Sequence, residues 1–169
     1  MASLGKPSTD YAEITAQEKS LVLPHFTADD AFEIGISIRN RARDVSNKAA
    51  VVNITLANKN QLLFHAASRS GIVPDNDFWV ARKRNFVLRF GTSTWAGRHR
   101  YNAPGEDVLR TKFHLGDQAN DYVIHGGGFP IRVDGVEGIV GIVVVSGLTQ
   151  EEDHQVIVES LQAFLGVRK

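Results

Sequence analysis

The sequence predicts an α+β domain in which helices pack on an antiparallel sheet. Two strongly periodic helical stretches, 28–45 and 150–165, and two hairpin signals, around Asn58-Lys-Asn60 and Asp134-Gly135, predict it. A doubly wound parallel sheet would need a helical crossover between most of its strands, and the hairpins leave no chain for one.

Taken in order, residues 1–7 read as a loose tail because Gly5, Lys6 and Pro7 favour no regular element. Thr9 to Ser20 can form a short polar helix, so residues 1–19 stand as tail plus helix and 20–169 as a single domain. Leu21 to Phe26 reads as a brief strand, with Pro24 placing it at an edge. Thr27 is an N-cap, with Asp29 and Asp30 in the first turn of a helix from Ala28 to about Val45. Its apolar positions Ala31, Ile34, Gly35, Ile38, Ala42 and Val45 recur at steps of three and four.

The period then changes. Ala50 to Leu56 and Gln61 to Ala66 are β-branched or apolar runs joined by turn residues, which is a hairpin. Asp77 to Arg89 allows a helix capped by Asp75 or Asp77, although Phe86, Val87 and Leu88 also suit a strand. From Phe90 to Gln118 the pattern is weak, broken by Gly91, Gly97, Pro104, Gly105 and Gly116, as expected of a functional or oligomer-forming segment. Asp121 to His125 and Gly128 to Val133 read as strand segments around three glycines, and Ile139 to Val145 as a buried strand. Thr149 and Glu152 form a capping box for a last helix from about Gln150 to Leu165.

Composition excludes several chemistries. The 169 residues with 43% hydrophobic content suffice for one core, and the absence of cysteine removes disulfides, thiolate metal sites and a cysteine nucleophile. No apolar run approaches the roughly 20 residues of a membrane helix and the N-terminus lacks a signal-peptide core, so a soluble cytoplasmic protein without a membrane partner is expected. A formal net charge of zero argues against a nucleic-acid partner. The charge is unevenly spread: eight basic residues between Arg82 and Lys112 face only Glu106 and Asp107. Such a segment is either a solvated flank or a grip for an anion. Ser93 lacks the Gly-x-Ser-x-Gly context of a hydrolase nucleophile.

At His125-Gly-Gly-Gly-Phe-Pro-Ile131 and Val145-Ser-Gly-Leu148 with Glu152-Asp-His154, the chain resembles the haem-degrading-domain, or GlcG-like, superfamily, and within it an uncharacterised conserved-protein branch. Asp30-Ala-Phe32, Asp75 to Asn85 and Val87 to Gly91 extend the likeness over about residues 20 to 165. The resemblance implies a profilin-like α/β sandwich assembled as a dimer-based homo-oligomer. It also implies a pocket near the glycine-rich hairpin and the last helix, with haem or a corrinoid as a ligand in some branches. Where that branch often has a histidine ahead of a Ser-Ser pair, this chain has Thr92-Ser93-Thr94, so no haem or metal role carries over to that position.

The candidate site residues each admit two readings. His125 is a strand histidine, or a haem axial ligand or general base. Gly126, Gly127 and Gly128 supply a turn or bulge, or an amide nest for an anionic group. Asp153 and His154 either complement the helix dipole or form a carboxylate-oriented imidazole. Arg82 and Arg89, seven apart, share a helix face and bind propionates or phosphates, or else pair with a helical carboxylate. Trp79 and Trp95 read as packing anchors. The other histidines are too scattered to count as a metal cluster. Three functions follow in order: an oligomeric protein binding haem or another small anionic ligand, a non-enzymatic interaction oligomer, and haem degradation.

Overall fold

The computed structural model describes residues 3–101 and 107–167; the pattern-breaking Pro104 and Gly105, and the acidic Glu106, lie outside them. Six helices are described: α1 (Tyr11–Ser20), α2 (Ala28–Val45), α3 (Asp75–Phe90), α4 (Thr94–Arg100), α5 (Asp107–Lys112) and α6 (Gln150–Val167). A 3-10 turn covers Gly116–Asp121. Strands β1 (Val51–Leu56), β2 (Leu62–Ala67), β3 (Gly128–Ile131) and β4 (Gly141–Ser146) form one antiparallel sheet in the order β2-β1-β4-β3. The α+β expectation holds.

Strand periodicity distributes the core. Val52, Ile54, Val143 and Val145 point to one face, where Ile34 and Ile38 of α2 and Ile157 and Leu161 of α6 cover them. Val51, Ile142 and Val144 point to the other, against Val80 and Val87 of α3. Covering both faces explains why β4 reads as an unbroken apolar run.

The start of α2 is fixed by local chemistry. Thr27 Oγ1 accepts from the Asp30 amide at 3.2 Å, and the Asp30 carboxylate accepts from the Thr27 amide at 2.8 Å. Thr27→Ala removes one half of this reciprocal cap and should cost about 1–2 kcal/mol in urea denaturation.

Four expectations are corrected. Leu21 to Phe26 forms no strand but a single parallel bridge, Leu23 to Val133, because α2 begins at Ala28 before a second rung can form. Asp121 to His125 is not a strand either. Its carbonyls are taken by α3 side chains, Asn85 Nδ2 to Asp121 O at 3.0 Å and Arg82 Nη2 to Tyr122 O at 3.3 Å. The weak stretch after Phe90 contains α4 and α5. Gly97 concealed α4 in the sequence; it is there because an added Cβ would lie 2.3 Å from the Phe86 ring. Of the tail expected to be loose, the described residues 3–7 are tied down: Gly5 N donates to Glu159 Oε1 at 2.9 Å and Arg41 Nη2 to Ser3 O at 2.9 Å, and just beyond them Trp95 Nε1 donates to Ser8 O at 2.8 Å.

Candidate functional site

The glycine-rich hairpin and the head of α6 meet at a buried ion pair that joins the two faces of the sheet. Lys83 lies on the inward stripe of α3 with Val80 and Val87, so its ammonium is carried past the end of β4. There its Nζ donates to Asp153 Oδ2 at 2.9 Å and to Val145 O at 2.8 Å. Asp153, in the first turn of α6, also accepts from the Leu148 amide at 3.0 Å and from the Gly147 amide at 3.4 Å. Burial pushes its carboxyl above the usual range, and the Lys83 ammonium with these amides pulls it back.

The glycines are the complement of that pair. Gly127 has φ 111°, and a Cβ there would lie 2.4 Å from Val145 O and 2.7 Å from Lys83 Nζ. At Gly126 a Cβ would meet Gln150 O at 2.2 Å, and the Gly128 amide donates to Thr94 Oγ1 at 2.9 Å. All three glycines are buried.

His154 follows Asp153 into the interior and is 1% exposed. Its ring lies 5.8 Å from that of Trp95, inclined by 27°, and 6.0 Å from that of Phe129. Neither ring nitrogen has a hydrogen-bond partner among the described residues. Burial, and then the nearby His99, push its pKa down to about 3, so the ring is neutral near pH 7. His99 packs edge-on against Trp95 at 4.3 Å.

The remaining sequence-predicted residues gather on the other side of α3. His125 packs edge-on against Trp79 at 5.2 Å, and the Arg82 guanidinium lies 5.0 Å over the same indole. Arg89 Nη1 donates to the Tyr122 hydroxyl at 2.9 Å. Arg82 and Arg89 thus share a face, as their spacing requires, and both reach Tyr122 rather than a helical carboxylate. The structure therefore places Gly126–Gly128 and Asp153 against one another, seats His154 behind them against Trp95, and sets His125, Arg82 and Arg89 apart.

A cleft of about 580 Å³ opens between residues 3–9 and the head of α6, a volume usual for small-molecule sites. Leu4, Pro7, Val45 and Trp95 supply its apolar wall, and Lys6, Glu151 and Glu152 its charges. The sequence reading missed both Lys83 and this use of Trp95. Lys83 was findable, since it falls between Val80 and Val87 on the apolar stripe of α3; the N-terminal wall of the cleft left no signal. Ser93 caps α4 by accepting from the Ala96 amide at 3.0 Å, while its own amide donates to Glu18 at 3.0 Å. Among the described residues no group of three or more histidine, aspartate and glutamate side chains could hold a metal ion. No described helix is long and apolar enough to cross a membrane.

Residues 26–162 match the model of the family described as haem degrading protein HbpS-like. A UPF0303 protein of Streptomyces avermitilis is 43% identical over 165 residues, covering 98% of this chain and 96% of its own length. The crystal structure of the Ybr137w protein superposes with a TM-score of 0.88 at 31% identity, covering 99% of each chain. A solved haem complex of PduOC, 18% identical, shares the fold with a TM-score of 0.62 over 82% of this chain and 94% of its own. By the match to the family model and the identity across nearly the whole chain, this protein belongs to the HbpS-like family and is a relative of the UPF0303 proteins.

Proposed function

We propose that the chain is a small-ligand-binding protein whose ligand occupies the cleft between residues 3–9 and the head of α6. The observation that carries this reading is a concave site of cofactor size, built from separate chain segments around the fixed indole of Trp95. Haem is the first ligand to test, given the family and the haem complex of the PduOC neighbour.

The residues present fit haem in part. Trp95 and the aliphatic wall suit the face of a planar ring, and the Lys6 ammonium suits one propionate, whereas the Glu151 and Glu152 carboxylates on the same wall oppose it. Ligation of iron by a histidine does not fit, because the described wall of the cleft contains none. His125 stands beside Trp79, and His154 is buried behind Trp95. Titration of the purified chain with haemin should therefore give a saturable Soret change that His125→Ala leaves unaltered. Lys6→Glu should weaken it about fivefold, the effect of about 1 kcal/mol at the upper end of what an exposed charge contributes. No saturable change removes haem from the cleft, and a change abolished by His125→Ala moves the site to the far side of α3.

A second reading, in which a homo-oligomer is the working unit, is favoured by the exposed Phe32, Leu62 and Phe78 beside the free edge strand β2.

A further inference from the structure

Where the C-terminal half of α2 meets the end of β2, Arg39, Arg43 and Arg69 line a recess of about 640 Å³ with Ala67, Ser70 and Ile72. Each guanidinium is held in place by a backbone carbonyl. Arg39 Nε donates to Ala67 O at 2.9 Å, Arg43 Nη1 to Ser68 O at 2.7 Å, and Arg69 Nη2 to Arg43 O at 2.8 Å. A guanidinium carries five N–H donors, so each keeps several to spare. Arg69 Nε is buried and has no hydrogen-bond partner among the described residues.

Among the described residues, no carboxylate is paired with a cation of the recess, and its lining contains none. Arg41, on the same helix, is different: its guanidinium lies 2.7 Å from Glu159. The C-terminus of α2 contributes about half a negative charge, which offsets less than one of three cations. What remains exceeds the charge of a monoanion.

We propose that this recess binds a small oxyanion carrying at least two negative charges, of the phosphate or polycarboxylate type, gripped by pre-positioned guanidinium forks. The site is separate from the cleft, so its fate does not depend on the haem result.

Calorimetric titration of the full chain at low ionic strength, with sodium pyrophosphate and with sodium citrate, tests it. Saturable binding of either probe is expected, and which one binds distinguishes phosphate from polycarboxylate chemistry. Arg43→Gln and Arg69→Gln should each weaken it at least tenfold. Amide shifts in the wild-type chain should centre on residues 67–70, a readout that needs no variant to fold. The exposed position of Arg43 makes its replacement the safer of the two, and unchanged thermal midpoints identify the folded variants. Absence of saturable binding by both probes, undiminished affinity in the folded glutamine variants, or shifts centred elsewhere would overturn the proposal.

Discussion

Lys83→Ala should destabilise the fold by about 3–5 kcal/mol, because it leaves the Asp153 carboxylate buried without its counter-ion. The same replacement strips Val145 O of its side-chain donor and opens space beside Gly127. Urea denaturation near pH 7 measures the loss. A pH dependence should accompany it. Without the ammonium, the folded pKa of Asp153 rises further above its unfolded value, so the penalty is present above the folded pKa and is relieved as pH falls through it. The variant should therefore recover part of its deficit at pH 5 relative to wild type. A loss below about 1 kcal/mol, with no recovery in acid, would show that the pair does not hold α3 and α6 to the sheet.

His154 should make the protein acid-sensitive in a defined window. Its folded pKa is about 3 against an ordinary value of 6.5, so below 6.5 the unfolded chain takes a proton that the folded ring refuses. Stability attributable to this residue is intact above pH 6.5 and is lost as pH falls toward 3. The loss is about 1.4 kcal/mol per unit, or roughly 4–5 kcal/mol in all. Asp153 and Glu18, whose carboxyls are raised by burial, act with the opposite sign, so the comparison must be made against a variant. His154→Phe keeps an aromatic ring between Trp95 and Phe129 and cannot titrate. Its unfolding free energy should fall less steeply than that of wild type between pH 6.5 and 4.5, and parallel curves would dismiss the assignment.

These predictions show where the sequence was legible. The cap and apolar stripe of α2, the β1–β2 hairpin and the capping box of α6 rest on neighbours within a few residues, so local patterns revealed them. The helix α4 was not visible, because Gly97 is dictated by the ring of Phe86, eleven residues away and on another helix. The strand expected at Asp121 to His125 failed for a related reason: its carbonyls bond to side chains of α3, which no periodicity within the segment records.

The candidate site divides in the same way. The family resemblance, the α+β class and the concentration of chemistry around the glycines and Asp153 were present in the order of residues. Only the fold showed that the glycines pack around a Lys83–Asp153 ion pair reaching across 70 positions. Likewise, His154 lies behind Trp95, while His125 stands with Arg82 beside Trp79. Local hydrogen bonding and side-chain periodicity act over about one turn of helix or one strand, so a sequence determines them by itself. Which charge meets which, and which imidazole loses its water, depends on layers brought together from distant parts of the chain, and tertiary packing decided it.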